Sequence, residues 1–409
     1  MTEVTILQVV PRLETGGSEQ AAVEITEALT RAGAASLVAT QGGRMATAII
    51  RAGGEIIPMS AASKSPATIV ANAWRLANLV KERGIDLIHA RSRAPAWSAL
   101  MAARWTKRPF VTTYHGAYGS KLPLKNLYNS VMGRGDRVIA NSLYTANLVA
   151  SRQYVARQRM RVIYRGIDSA VFDPLVVPPG PVARLRQSWG VSPEVNIVLH
   201  AARLSGIKGQ RQTIEAVRRL HNDGAFEGAI LIIAGDATGR QGYRQELSDL
   251  IANGGLADKV RLVGHCGDMP VAFLAAHVAL VPSLVAETFG RTSIEAQAMG
   301  CPVIVSDVGA LPETIVAANG SDREFTGWLV PPGDIETLAE AIRRALLLSP
   351  ADRAEIGARA QARVRARFEL SQMQVKTLAV YDELLDTRLA ELFEYPPLFE
   401  AADSLEGGA

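Results

Sequence analysis

Cysteine is nearly absent from the 409-residue chain: Cys266 and Cys301 are the only two, without the close spacing of metal ligands. That scarcity excludes a disulfide-stapled secreted domain and a cysteine-ligated zinc site, and makes the reducing cytoplasm the simplest compartment. No apolar run reaches the roughly 18 residues needed to cross a bilayer, so no spanning segment is expected. The first ten residues hold no basic leader and enter a strand at once, which argues against a secretion signal. Aromatic residues amount to 6% and do not alternate with the cations, which disfavours a nucleic-acid platform.

Apolar residues do make up 48% of the chain and charged residues 21%, the balance of a globular protein. The length exceeds one ordinary core, so two domains are expected. The net charge of +4 hides an asymmetry. Residues 1 to 170 carry 22 Lys and Arg against 10 Asp and Glu, a balance of +12, and the remainder stands at −8. A basic first half facing an acidic second half points to a polyanionic partner for the former, such as a membrane surface or a phosphorylated ligand.

Short apolar runs alternate with amphipathic stretches throughout. In the first half, strands are expected at 4–10, 36–40, 55–58, 87–90, 110–114, 137–140 and 161–163, with helices at 18–31, 67–83, 94–105 and 145–151. The proline-rich stretch Asp173–Pro181 suits an extended connector. A second alternation follows, with strands at 197–200, 229–234, 260–263, 278–281 and 303–306 and helices at 212–220, 245–252, 292–299, 335–347, 351–367 and 371–389. Strands separated by crossover helices imply parallel α/β sheets, doubly wound, in each half. The expected organisation is a first Rossmann-like domain over 1–175, a second over 182–370, a helix at 371–393 packing back on the first domain, and a loose tail at 394–409. Ligands of such sheets bind at the carboxyl ends of the strands.

Candidate site residues cluster at those ends. Glu287 and Glu295 are separated by seven residues and straddle Gly290, where a helix opens with free amides and partial positive charge. Thr292-x-x-Glu295 also fits a capping box, in which the Glu merely satisfies a backbone amide. After the first strand, Gly16-Gly17 allows close backbone approach to a phosphate, although a plain tight turn has the same composition. His115 ends another strand, where it could hydrogen-bond a sugar hydroxyl or move a proton near neutral pH. Arg203 and Lys208 follow the first strand of the second half and could neutralise a departing diphosphate.

Taken in order, these segments resemble the retaining glycosyltransferases of family 4, which have the GT-B fold. The elements are Gly16-Gly17-Ser-Glu19, Thr113-Tyr-His115-Gly116, Arg203…Lys208-Gly209, Glu287…Glu295 and Val308-Gly-Ala-Leu-Pro-Glu313, with Tyr164-Arg-Gly-Ile-Asp168…Phe172-x-Pro174 between the halves. Ala202 and Ala310 stand where glycine is commoner, and Arg165 replaces Asn. The resemblance implies two domains facing a cleft, His115 and Glu287 at the transferred sugar, and Glu295 on the ribose hydroxyls. It also implies that Phe289 and Gly290 supply amides to the phosphates, and that Arg203 and Lys208 hold the leaving group.

The expected activity is metal-independent hexose transfer from a UDP- or GDP-sugar, with no cofactor and no metal site, since no Asp-x-Asp occurs. The acceptor is expected to be lipid-linked or phosphorylated, as in lipopolysaccharide, polysaccharide or glycolipid synthesis. The basic first half includes residues 104–108 and 120–134, and the latter stretch mixes cations with Leu, Tyr and Met, as an interfacial helix would. Peripheral attachment to the anionic inner face of the plasma membrane follows. The alternatives are a GT-B sugar-nucleotide epimerase and a non-catalytic GT-B binding protein.

Overall fold

The computed structural model describes residues 4–14, 16–116, 123–153, 155–318 and 324–394. They divide into two compact units. The first comprises the described residues up to Ala140, then Ala146–Ile163, and the stretch from Met373 onward; the second comprises Asn141–Thr145 and Tyr164–Gln372.

The first unit is built on a seven-stranded parallel sheet in the order β3-β2-β1-β4-β5-β6-β7. Its strands are β1 (Thr5–Val9), β2 (Ala35–Thr40), β3 (Glu55–Pro58), β4 (Leu87–Ala90), β5 (Phe110–Tyr114), β6 (Arg137–Ala140) and β7 (Met160–Val162). The connecting helices are α1 (Gly17–Arg31), α2 (Ala46–Arg51), α3 (Pro66–Glu82), α4 (Arg93–Thr106), α5 (Pro123–Asn129) and α6 (Leu143–Gln153). One sheet face packs Leu7, Val9, Leu37 and Ile88 against Leu76, Val80 and Ala99 of α3 and α4. Burying each such aliphatic side chain is worth about 1.5–3 kcal/mol.

The other face carries a layer of buried polar groups. Gln8 donates to Thr26 Oγ1 at 2.9 Å and accepts from Arg91 Nε at 2.6 Å. His89 bridges Thr113 Oγ1 and Tyr381 Oη, each at 2.7 Å. Tyr381 belongs to α14 (Leu370–Leu385), which α15 (Leu389–Glu394) follows. Gln374 on α14 donates to Glu24 O at 2.8 Å, and Arg31 lies over the Phe393 ring at 4.5 Å.

In the second unit a six-stranded parallel sheet runs β10-β9-β8-β11-β12-β13. Its strands are β8 (Asn196–Ala201), β9 (Ala229–Ala234), β10 (Val260–Gly264), β11 (Val278–Val281), β12 (Val303–Ser306) and β13 (Gly327–Val330). The helices are α7 (Pro179–Ser188), α8 (Gln210–Asn222), α9 (Gln241–Asn253), α10 (Met269–Ala275), α11 (Arg291–Ala298), α12 (Ile335–Leu346) and α13 (Pro350–Arg367). Alternate residues of β8 and β9 fill two cores: Val198, Leu231 and Ile233 on one side, Ile197, Leu199, Ile230 and Ile232 on the other. Both faces are covered, so β9 reads as an unbroken apolar run and β8 as one from Ile197 to Leu199.

Three segments differ from the reading of the sequence. The stretch Asp173–Pro181 is not an extended connector: it lies within the second unit and already contains the start of α7. Pro179 sits at the first position of that helix, where a missing N–H is no loss. The long final helix breaks at Asp386, which adopts a left-handed φ of 54°. Of the interfacial helix expected at 120–134, residues 120–122 lie outside the described residues, and 123–134 do not form one helix. Among the described residues, α5 gives way to a 3-10 turn at Ser130–Arg134, and Val131 and Met132 point into the core. The tail at 395–409 lies outside the described residues.

Candidate active site

Strand order reverses between β8 and β11 in the second sheet, and between β1 and β4 in the first. Such switch points open a crevice beyond the carboxyl ends of the strands. In the second unit the two flanking loops meet. The loop after β8 carries Lys208, and the loop after β11 carries Ser283 and Glu287. The Lys208 ammonium donates to Glu287 Oε1 at 2.6 Å, and the Ser283 hydroxyl donates to the same carboxylate. Both charged side chains are partly sheltered, 23% and 20% exposed, where a charge pair is screened less than at an open surface.

Glycines decide that geometry. Gly209 has a left-handed φ of 78°, and a Cβ there would lie 2.1 Å from Pro282 O. Gly309 has φ 66°, and its Cβ would meet Glu287 O at 2.4 Å. Any side chain at either position would push the loops apart. The next residue, Ala310, adopts an ordinary right-handed φ of −93°, so alanine fits where a second glycine would also serve. Its amide donates to Glu287 O at 2.9 Å, fixing the backbone of that acid.

His200 on β8 supports the same loop from below. Its Nδ1 lies 3.0 Å from Thr213 Oγ1, and Thr213 donates to Gly209 O at 3.1 Å. Burial, reinforced by the Lys208 charge, drives the His200 pKa down to about 3, so the imidazole is neutral. Arg203 is exposed, and among the described residues its guanidinium has no carboxylate partner. Gln210 Nε2 donates to its carbonyl at 3.0 Å, tying Arg203 to the start of α8.

Gly290, with φ 114°, is the residue at the amino end of α11, and no side chain caps that end. The capping-box pattern Thr292-x-x-Glu295 is thus not realised. Glu295 instead accepts from Arg291 Nε at 2.7 Å, one turn away. The Phe289 ring is buried against Tyr164 and Phe368, with centroids 6.1 and 5.8 Å away. That aromatic packing anchors the residue preceding the helix. Glu313 accepts from the amides of Leu143 and Tyr144 at 2.8 and 2.7 Å and from Tyr164 Oη at 2.9 Å. Burial, with this bond second, pushes the Tyr164 pKa up to about 12.

The remaining candidates lie in the first unit. Gly16 is extended and Gly17 opens α1; a Cβ on Gly16 would meet Glu19 Oε2 at 2.4 Å, so this acid folds back over the turn. His115 directly follows β5 and is half-buried. Among the described residues no three His, Cys, Asp or Glu side chains gather to hold a metal ion, and no helix is long and apolar enough to cross a membrane. Ser283, His200 and Arg291 escaped the reading of the sequence, because a lone Ser or Arg and a strand His carry no distinguishing spacing.

Known proteins resemble this chain in family and fold. The Glycosyltransferase Family 4 model matches residues 15–171, and Glycosyl transferases group 1 matches residues 182–363. A glycosyltransferase from Rickettsia africae ESF-5 superposes with a TM-score of 0.86 at 30% identity, over 95% of this chain and 100% of that one. The chain belongs to the family 4 glycosyltransferases. Among curated relatives of this glycosyltransferase, D-inositol 3-phosphate glycosyltransferase 1 of Catenulispora acidiphila is 29% identical over 318 residues, 74% of this chain and 73% of the relative. Anabaena HepE, solved in complex with UDP, shares the GT-B fold, with a TM-score of 0.80 at 23% identity over 94% of this chain and 100% of that one.

Proposed function

We propose that this glycosyltransferase moves a hexose from a UDP- or GDP-sugar to a lipid-linked or phosphorylated saccharide acceptor, with retention and without a divalent ion. The observation that carries the reading is the Lys208–Glu287 pair at the switch point, 2.6 Å apart. Lys208 and the unpaired Arg203 neutralise the pyrophosphate as it departs, and the amides at Phe289 and Gly290 add the positive end of α11. Glu295 accepts from the ribose hydroxyls. Gly16 and Gly17 let backbone approach the diphosphate, and His115 offers its ring to a sugar hydroxyl. We place the base of the donor beside Val263–Asp268, where a cavity of about 720 Å³ is lined by Trp189, Val263, Cys266 and Asp268.

In the reaction the bond from the anomeric carbon to the diphosphate oxygen breaks. The acceptor oxygen bonds to that carbon on the same face, and its proton passes to the leaving phosphate. Glu287 is already engaged by an ammonium and a hydroxyl, which suits a group that positions the sugar better than one that attacks it.

The basic balance of the first half, and relatives named for inositol 3-phosphate, support an acceptor bearing phosphate. Exposed Trp74, Trp105 and Leu127, with Arg104, Lys107 and Arg108 nearby in sequence, support peripheral attachment to an anionic inner leaflet. The decisive experiment is a thermal-shift panel of nucleotide sugars followed by transfer assays. A true donor at 100 to 1,000 times its Kd stabilises by about 2.7–4.1 kcal/mol. If no UDP- or GDP-sugar shifts the melting curve or donates its sugar, the reading is wrong.

A further inference from the structure

On the first sheet, three arginines gather at the edge opposite to the strand ends that carry Gly16, Gly17 and His115. Arg104 lies in the last turn of α4, ahead of β5; Arg134 ends the 3-10 turn ahead of β6; Arg159 immediately precedes β7. All three therefore stand at the amino ends of strands. Together with Ser130, Gly133 and Gln153 they line a pocket of about 510 Å³. A strand of four or five residues separates it from the carboxyl edge by about 13–17 Å, so a ligand there takes no part in sugar transfer.

The pocket is built rather than incidental. Arg104 donates to Arg134 O at 3.4 Å, and Arg159 donates to Gly135 O at 3.1 Å, so two guanidiniums are moored to the same short segment. The third, Arg134, lies over the Trp97 indole, 5.1 Å from its centroid, and Trp97 is itself held by its Nε1 bond to Tyr128 O at 3.1 Å. At Gly133 a Cβ would crowd Val155 at 2.9 Å and Gln153 at 3.3 Å, and its absence leaves the floor open.

Charge is left over. Asp136 answers Arg104 at 3.1 Å but spends its second oxygen on the Phe110 amide at 2.8 Å. Arg137 and Arg161, on the adjoining strands, share the single carboxylate of Glu383. Among the described residues neither Arg134 nor Arg159 has a carboxylate partner. Like charges held this close repel, and an oxyanion between them relieves the repulsion while accepting forked N–H bonds from planar guanidiniums.

We infer that this pocket is a second, non-catalytic binding site that takes a phosphate group, as a free monoester or as a lipid headgroup. It does not rest on the donor chemistry, nor on attachment to a membrane. The test titrates the full chain with inorganic phosphate by calorimetry, and sediments it with vesicles of phosphatidylcholine alone or mixed with phosphatidic acid. Wild type, R134Q/R159Q, R134K/R159K and K208A are compared, with melting curves to verify folding.

R134Q/R159Q is expected to weaken phosphate binding at least ~10-fold, since two charge-assisted bonds are lost. The lysine pair, which keeps charge but not the fork, falls between, and K208A retains this binding. Loss of phosphatidic acid sedimentation in the same variant assigns a headgroup; unchanged sedimentation with lost phosphate binding assigns a free phosphate. Equal phosphate affinity in wild type and R134Q/R159Q, or its loss in K208A alone, overturns the inference whatever the vesicles do.

Discussion

Lys208 and Glu287 meet at 2.6 Å because Gly209 and Gly309 let two loops approach where no other residue would fit. The pair is therefore a product of backbone geometry on both sides. Its side chains carry the charge, and its glycines determine whether the charges can touch.

Removing either charge should separate chemistry from folding. Lys208→Ala and Glu287→Ala are each expected to lower kcat/KM by about 10²–10³, the range seen when a preorganised electrostatic partner of the transition state is lost. Circular dichroism should stay native in both. Turnover within threefold of wild type in either variant would remove that residue from the site.

The glycines should behave in the opposite way, harming stability and activity together. Gly309→Ala forces a left-handed φ onto alanine and drives its Cβ to 2.4 Å from Glu287 O. We expect a loss of about 1–3 kcal/mol in urea unfolding and a fall in activity comparable to that of Glu287→Ala. Gly239→Ala is the control: it shares a left-handed φ of 71° but has nothing within 4 Å of its Cβ, so activity should survive.

The hydrogen bonds of His89 link α14 to the first sheet. Tyr381→Phe leaves the buried His89 Nδ1 without its 2.7 Å partner. A destabilisation of about 1–3 kcal/mol is expected from the unpaired group. A change below about 0.3 kcal/mol would mean that water or rearrangement replaces the bond at no penalty.

Acid should weaken the fold partly through buried histidines. The folded pKa of His200 is about 3, and that of His89 is also pushed well below its usual value by burial. Between these values and the unfolded value near 6.5, the unfolded chain binds more protons than the folded one. Stability is then complete above about pH 6.5 and falls as pH drops toward 3, with a slope approaching about 1.4 kcal/mol per pH unit for each group. Replacing His200 with Asn should flatten the urea-unfolding stability measured between pH 6 and 4 by about one proton's slope. An unchanged slope would show that His200 does not contribute.

Thiol labelling gives an independent check on the second core. Cys301 is buried and its pKa is pushed up to about 12 by desolvation, whereas Cys266 is partly exposed. Native protein at pH 8 should react at Cys266 alone, and Cys301 should react only after unfolding. Equal labelling rates would contradict the packing around β12.

Where a strand is buried on both faces, as at Ala229–Ala234, the unbroken apolar run made it plain in the sequence. Helix α7 was hidden because Pro178, Pro179 and Pro181 resemble a connector, although proline at a first helical turn stabilises a start. The edge strand β13 begins at Gly327, a residue that weakens a strand signal, and was not anticipated. The sequence placed Lys208 and Glu287 each beyond the end of a strand, but not their direct bond, which depends on contacts 79 positions apart. Glu313 was legible as a motif residue; its grip on the amides of Leu143 and Tyr144, some 170 positions upstream, was not.

Because Met373 onward completes the first unit, that unit is assembled from segments separated in sequence by nearly the whole of the second. A nonsense codon after Gln372 would strip the amino-terminal sheet of Tyr381 and expose His89 and Arg91, while sparing Lys208 and Glu287. Anyone wishing to express the first unit by itself must splice a distant segment onto it, whereas the half bearing Lys208 and Glu287 can be excised nearly whole as one uninterrupted stretch.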